Sequence, residues 1–134
     1  MKIVLDYPPN YAVVASTFDL SRVTPVFMYG EILYNPAGIP LESHIIAHEE
    51  VHERQQRTIG PKAWWDRYLT DSQFRIDQEI EAYREQYRFV KNIIKDRNKV
   101  ARFLHAIATD LSGPMYGSAI SYQDALNKID CFIK

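Results

Sequence analysis

The sequence has almost no cysteine. Cys131 is the only one, so no internal disulfide bond can form, and a reducing compartment is the simplest fit to that composition. Internal repeats, low-complexity stretches and linker-like segments are also missing, which predicts a single domain over residues 1–134. A chain of this length can bury a usable hydrophobic core without disulfide bonds.

Long apolar runs and a strong net charge are missing as well. No run approaches the length of a membrane span, and Asp6 comes too early for the apolar region of a signal peptide. The formal net charge of −1 provides no global attraction to nucleic acid or acidic membranes, although a local patch remains compatible with it. We therefore expect a cytoplasmic protein without a nucleic-acid or membrane partner.

The N-terminal third predicts β-structure. Residues 3–5 and 11–15 are β-prone runs separated by a Pro-Pro-Asn turn. Residues 25–29 and 32–34 flank Gly30-Glu31, which predicts a two-residue hairpin whose glycine supplies the positive φ of a type II′ turn.

From about residue 41 the pattern becomes helical. Helices are predicted over about 41–58, around Trp64-Trp65, from about 73 to beyond 94, over about 98–111, and from a capping box at Ser121 to about 129. The predicted fold class is α+β, with a short N-terminal antiparallel sheet or hairpin followed by a bundle of about four to five helices.

The segment His48-Glu49-Glu50-Val51-His52 carries the chemistry. Histidines four residues apart share one helical face, so both imidazoles can bind the same metal ion. Glu49 is rotated by about 100° from His48, and its carboxylate can take a proton from the water that the metal activates. Both histidines fall on the apolar stripe of the helix with Ile45 and Ile59. They could be ordinary core residues, but two adjacent unliganded imidazoles would each need a separate hydrogen-bond partner.

A catalytic zinc ion needs a third protein ligand and one open position. Glu79 lies at the centre of an apolar face of the predicted long helix, whereas Glu81 points away from it. A buried carboxylate is costly unless it is paired or binds a metal, so we expect Glu79 to be the ligand. The alternative is a buried ion pair with Arg75. His44 at the stripe edge and His105 away from its own stripe are poorer candidates.

This arrangement resembles the gluzincin metallopeptidases, which carry His-Glu-x-x-His on one helix and a metal-binding glutamate on a later one. In several branches that glutamate opens a Glu-x-x-Ala-Asp motif, matched here by Glu79-Ile80-Glu81-Ala82-Tyr83. Tyr83 replaces the aspartate that usually orients a ligand histidine. A phenol can still hydrogen-bond an imidazole nitrogen, which is the usual task at that position.

Residues 27–87 are also similar to small proteins of bacteriophages and some bacteria that are assigned as peptidases. They share a Tyr-Gly hairpin, an Asn-Pro turn, a His-Glu-x-x-His-x-x-Gln helix, a Trp-Trp-x-x-Tyr-Leu segment and a Phe-Arg helix. The resemblance implies a minimal zincin-like domain that binds Zn²⁺ through His48, His52 and Glu79 and uses Glu49 as general base. It also implies a peptide or protein substrate, including cell-wall peptide, and the host cytoplasm if a phage encodes the chain.

Zincins stabilise the oxyanion of the reaction with a Tyr, His or Arg side chain. Tyr116, in the loop of residues 113–117, is the candidate here, and Tyr83, one turn beyond Glu79, is the alternative. For each tyrosine, packing against the core is the competing role. The hairpin either pairs with extended substrate or only covers the core. The second function class is a module without turnover, which keeps zinc as a clamp or binds a partner without any metal. Glu49 and the open coordination position favour the enzyme.

Overall fold

The computed structural model describes residues 1–21 and 24–130, so Cys131 lies outside the described part. The predicted α+β class is confirmed: a small sheet near the N-terminus accompanies six α-helices within these residues. None of the helices in the described ranges combines the length and apolar character that a membrane crossing requires.

The sheet is mixed, which corrects the prediction of an antiparallel sheet. Strand β1 (Lys2–Val4) pairs in parallel with β3 (Ile32–Tyr34), and β2 (Phe27–Tyr29) pairs with β3 in antiparallel, so the order is β1-β3-β2. The hairpin is as predicted, with a φ of +65° at Gly30. The prediction missed the parallel pair because β1 reaches β3 only through a long crossover, which leaves no local signal.

Residues 11–15 belong to helix α1 (Tyr11–Thr17), where the sequence predicted a strand. Tyr11, Val14 and Phe18 pack into the same hydrophobic cluster, and their spacing of three and four residues is that of one helix face. Val13, on another face, is 53% exposed. Tertiary packing outweighs the β-propensity of the valines here, as it does in many proteins.

The helical bundle follows the prediction closely. After the hairpin come five helices where the sequence predicts them. The ends that were predicted agree within about two residues, except that the long helix stops at Ile93 and does not run beyond residue 94. A short 3-10 turn at Pro114–Tyr116 precedes the last helix. The five helices are α2 (Ser43–Ile59), α3 (Pro61–Thr70), α4 (Ser72–Ile93), α5 (Arg97–Leu111) and α6 (Tyr122–Asp130). The predicted cap of α6 is present, since the hydroxyl of Ser121 accepts from the backbone N–H of Asp124 at 3.1 Å.

Buried hydrogen bonds connect helices α2 and α3 to the hairpin. The Gln56 amide of α2 and the Trp65 indole of α3 both donate to the carbonyl of Met28 in β2, at 2.7 and 2.9 Å.

The apolar face of α2 ends earlier than predicted, because Ile59 is 47% exposed. Helices α2 and α4 pack against each other, and this packing determines where the site forms.

Candidate metal centre

The motif histidines on α2 meet the glutamate on α4. Nε2 of His48 and Nε2 of His52 each lie 3.2 Å from Oε1 of Glu79. The ligand atoms that the three residues offer all lie within 4.8 Å of one another, and all three residues are buried. We call His48, His52 and Glu79 the metal-ligand group, since together they could hold a metal ion. Within the described residues, this is the side-chain group able to hold a metal ion.

The spacing of these atoms suits a small divalent cation. Two ligand atoms that are each about 2.0–2.1 Å from a tetrahedral zinc ion lie roughly 3.3 Å apart. The two nitrogen–oxygen distances of 3.2 Å match that separation. Two imidazole nitrogens and one carboxylate oxygen are also a donor set that zinc accepts, with a fourth position left open. The residues present therefore fit the ion that the sequence motif suggests.

Glu79 lies on the buried face of α4 that the sequence predicts. The residue is 3% exposed, whereas Glu81 is exposed. Arg75 does not supply the alternative ion pair. Its guanidinium donates instead to the backbone carbonyls of Tyr68 and Tyr116, at 2.9 and 3.2 Å. The cost of burying the Glu79 carboxylate is therefore offset by the two histidines and by a hydrogen bond from α3.

That hydrogen bond comes from Tyr68, whose hydroxyl donates to Oε2 of Glu79 at 2.7 Å. The Tyr68 ring stacks on Trp64 with centroids 4.8 Å apart, and Trp64 lies 5.3 Å from the ring of His52. Burial raises the pKa of Tyr68 well above its ordinary value, so the hydroxyl keeps its proton and remains a donor. Tyr68 thus holds one carboxylate oxygen and leaves the other facing the histidines.

A glutamine orients the first histidine. Nδ1 of His48 lies 2.9 Å from Oε1 of Gln86. The amide nitrogen of Gln86 contacts Nδ1 of His44 at 2.9 Å, and Nε2 of His44 contacts the carboxylate of Glu42 at 3.0 Å. Glu42 can only accept, so His44 donates to it and accepts from the Gln86 amide. The Gln86 oxygen then accepts from Nδ1 of His48, which leaves Nε2 of His48 for a metal.

A second glutamine orients the other histidine. Nδ1 of His52 lies 2.8 Å from Oε1 of Gln55. The Gln55 amide nitrogen donates to the carbonyl of Gln78 at 3.1 Å and to the carboxylate of Glu81 at 2.6 Å. Both partners are acceptors, so the amide orientation is determined and its oxygen faces His52. His44 and Glu81 therefore act around the centre without belonging to the metal-ligand group.

Tyr83 does not make the hydrogen bond expected of it. Its ring packs against the ring of His48 with centroids 4.5 Å apart, but its hydroxyl bonds to the hydroxyl of Tyr116 at 2.8 Å. The ring edge fills the space beside His48 while Gln86 makes the polar contact. The hydroxyl of Tyr83 is taken up by Tyr116, so the tyrosine contributes ring packing beside His48 and no hydrogen bond to it.

Glu49 lies next to the metal-ligand group rather than in it. One oxygen of its carboxylate is 4.0 Å from Nε2 of His48, and the residue is buried. Burial raises the pKa of Glu49, although the nearby His52 and His48 oppose this effect. A carboxyl with a raised pKa exchanges protons more readily near neutral pH, which suits a general base and acid.

The electrostatic coupling inside the group is strong without a metal. Burial lowers the pKa of His52, but the charge and the hydrogen bond of Glu79 outweigh burial and raise it to about 9. Burial raises the pKa of Glu79, and the contacts with His52 and His48 outweigh this and hold it well below its ordinary value. A proton on His52 thus compensates the carboxylate in the metal-free protein. A bound cation would take over that role.

A pocket of about 550 Å³, counting its open mouth, leads to this group. Glu49 and Tyr116 both line it together with His48, His52 and Glu79. The remaining walls are mostly apolar and come from α1 and its continuation, from the hairpin, from α3 and from the 3-10 turn; they include Val14, Phe18, Val26, Met28, Trp65 and Met115. The two residues predicted to be catalytic therefore face the same space as the metal-ligand group.

Sequence reasoning missed three residues that hold the centre in place. Gln55 was visible as the last position of the extended motif, three residues after His52 on the same helix. Gln86 shares the face of Glu79, seven residues later, and so had a positional signal. Tyr68 had no such signal, because its contact with Glu79 depends on how α3 packs.

His105 is exposed, as the sequence predicted, and its ring contacts Tyr122.

The described residues carry a buried His-His-Glu group that is able to hold a metal ion, with a further carboxylate and an apolar pocket beside it. No protein-family model, no curated protein and no solved structure matches the chain.

Proposed function

We propose that this protein is a zinc-dependent hydrolase of the metallopeptidase type. The proposal is supported above all by one observation: the buried group of His48, His52 and Glu79 shares a pocket with Glu49, a carboxylate that is not needed to hold the metal. A site that only stabilises the fold is usually closed by four protein ligands. Three ligands with an unused carboxylate beside them favour chemistry.

A zinc ion held by these residues would act as a Lewis acid that polarises a substrate carbonyl and lowers the pKa of a water molecule. Glu49 would accept the proton of that water and deliver it to the leaving amine. The buried position of Glu49 supports this role, because burial raises the pKa of its carboxyl and favours proton exchange. Gln86 and Gln55 would keep both imidazoles in orientation throughout.

Tyr116 is the residue that we assign to the developing oxyanion. Its side chain lines the pocket, and burial raises its pKa well above the ordinary value, so the hydroxyl stays a donor. Tyr83 contacts this hydroxyl from outside the pocket lining and can position it. A preorganised donor aimed at the developing charge is the usual source of such stabilisation.

A peptide substrate with uncharged side chains fits the apolar pocket walls. Main-chain pairing along β2 has limited room, since the Met28 carbonyl already accepts from Gln56 and Trp65. At Met28 the hairpin therefore anchors the helices, and any pairing with substrate would use the preceding residues, such as Val26, which lines the pocket. The sequence left open whether the substrate is a cell-wall peptide or a protein of phage or host.

The second function class, a zinc clamp without turnover, is favoured by a different observation. The metal-ligand group joins α2 to α4 in the interior, so a metal ion would crosslink two helices that the core depends on. Under this alternative Glu49 would be an ordinary buried residue. Replacing it would then have no effect on the protein beyond any change in zinc binding.

The two functions are separated by Glu49→Gln with Glu50→Gln as the matched control. Glu50 is the exposed neighbour of Glu49 in the same motif. Each zinc-loaded variant is assayed for zinc content and for cleavage of a mixed library of quenched fluorescent peptides. We expect full zinc content in both, and a cleavage rate reduced by about 10²–10⁴-fold only in Glu49→Gln. Zinc-dependent thermal stability without cleavage in any form, wild type included, would support the clamp.

A further inference from the structure

The C-terminal part of α4 and the start of α5 form a strongly basic region. Residues 84–102 contain seven basic and two acidic side chains, a net charge of +5. The whole chain carries −1, so the remaining residues together carry −6. The near-neutral total therefore hides a charge separation of the kind that marks an electrostatic interaction surface.

Most of these cations have no acidic partner in the described part of the chain. Arg88 pairs with Glu85, but no ion pair involves the remaining five near the turn, which are Lys91, Lys95, Arg97, Lys99 and Arg102. The nearby carboxylate of Asp96 caps α5 by accepting from the backbone N–H groups of residues 98 and 99. The positive charge at this turn is therefore available to a partner.

These cations border an apolar groove between α4 and α5. Lys91, Lys95 and Arg97 line it, and so do the apolar side chains of Tyr87, Ile94, Val100 and Leu104. The groove measures about 670 Å³ with its open mouth. We call it the basic groove.

The apolar lining of the basic groove extends the buried stripe of α5. Val100 and Leu104 continue the stripe of Ile107 and Leu111, which the core buries completely, yet the first two residues are only half-buried. Ile93, the last residue of α4, is 63% exposed. The apolar stripe of α5 therefore extends about one turn beyond the part that the core buries. This turn of apolar surface lies next to cations that have no ion-pair partner in the described part of the chain.

We propose that the basic groove binds an acidic peptide segment of a partner protein, with one apolar side chain in the groove and carboxylates on Lys91, Lys95 and Arg97. Charge complementarity selects the acidic partner, and the concave apolar lining selects a side-chain anchor. Such a segment needs only the groove and its border, whereas a long polyanion would extend onto the remaining surface, whose net charge is negative.

Nucleic acid and membrane fit this surface less well. Single-stranded nucleic acid needs exposed aromatic rings for base stacking, but Tyr87 is buried and the ammonium of Lys91 lies 5.4 Å from its ring centroid. An anionic bilayer needs several apolar side chains that project outward. Here most apolar side chains line a concavity, and Ile93 projects alone.

The basic groove is separate from the metal centre. Lys91 follows Glu79 by twelve residues on α4, a distance of roughly 18 Å along the helix axis. Binding to the groove is therefore independent of zinc and of the proposed hydrolase function. It can be measured on chelator-treated protein as well as on zinc-loaded protein.

The probe is a short fluorescein-labelled peptide of glutamate and glycine with one central phenylalanine, and binding is followed by fluorescence anisotropy. The double variant Lys95→Glu with Arg97→Glu should weaken binding by about tenfold or more. Arg54→Glu with Arg57→Glu changes the net charge equally on the exposed side of α2 and should leave the affinity unchanged. A peptide with glycine in place of phenylalanine should bind more weakly than the probe.

Three outcomes would overturn the proposal. Equal affinities of the two double variants would show that the attraction does not come from the cations at the groove. Equal affinities of the two peptides would show that the apolar groove does not contribute to binding. Tighter binding of a single-stranded oligonucleotide or of phosphatidylglycerol vesicles than of the peptide would assign the surface to another partner. Lys95→Gln with Arg97→Gln, which introduces no repulsion, serves if the charge-reversed protein does not fold by circular dichroism.

Discussion

Nδ1 of His48 on α2 lies 2.9 Å from Oε1 of Gln86 on α4, and this hydrogen bond is one of several that join the two helices carrying the metal-ligand group. The opposite end of the Gln86 amide is held by His44 at 2.9 Å. The protein itself thus sets the orientation of the His48 ring, so that Nε2 of His48 is in position before a metal ion binds. This preorganisation can be tested by removing the amide.

Gln86→Leu should weaken zinc binding by about 10–100-fold, because loss of the partner that orients a ligand histidine has that effect in metal sites. Zinc affinity is measured by competition with a chromogenic chelator. Gln56→Leu is the matched control, since Gln56 is equally buried but bonds Met28 and Gly30 of the hairpin. It should lower the free energy of unfolding by about 1–3 kcal/mol and leave zinc affinity unchanged. Equal zinc affinities in the two variants would contradict the role of Gln86.

Glu79→Ala should abolish stoichiometric zinc binding, because it removes the only carboxylate among the three ligand residues. Glu81→Ala, two residues along α4, should retain one zinc per chain, since Glu81 is exposed and contacts only Gln55 of the surrounding network. Zinc is quantified by mass spectrometry after dialysis. The helix register proposed for α4 would be wrong if Glu81→Ala lost the metal while Glu79→Ala kept it.

The metal-free protein should lose stability as the pH rises from 6.5 to about 9. Burial lowers the pKa of His52, but Glu79 outweighs burial and raises it to about 9, from 6.5 in the absence of such contacts. The stabilisation from this charged pair is therefore complete below pH 6.5 and disappears as His52 loses its proton. Ionisation of Glu49 has the same sign, because burial raises its pKa and the associated stability is lost as the pH rises above the ordinary value of 4.5.

The measurement is urea unfolding of chelator-treated protein across that pH range. His105→Ala should keep the decline, because His105 is exposed and remote from the centre, and His52→Ala should flatten it. A wild-type protein whose free energy of unfolding is constant or rises over this interval would contradict the assigned coupling.

Tyr116→Phe should lower turnover by about 10²–10³-fold, the range found when one oxyanion donor is removed, with zinc content unchanged. Tyr122→Phe is the control, since that hydroxyl lies outside the pocket and contacts His105. Both variants are compared with wild type in the peptide-cleavage assay described above. Equal turnover of the two variants would remove Tyr116 from the mechanism.

The three residues that could hold a metal ion were predictable because the signal is local. His48 and His52 share a helical face by their spacing alone, and the apolar neighbours of Glu79 repeat with the helical period, which separates it from Glu81. Each of these inferences needs only the geometry of one helix. That is why the structure brings together the same three residues that the sequence singled out.

Tertiary structure alone decided what depends on contacts between distant elements. The strand predicted at residues 11–15 is helix α1, because Val14 and Phe18 face a cluster that forms only when α3 is in place. The parallel pairing of β1 with β3 has no local signal for the same reason. Within the centre, helix periodicity placed His48 and His52 on the buried face of α2 and Glu79 on the buried face of α4, whereas the contacts of Gln86 and Tyr68 came from packing between helices.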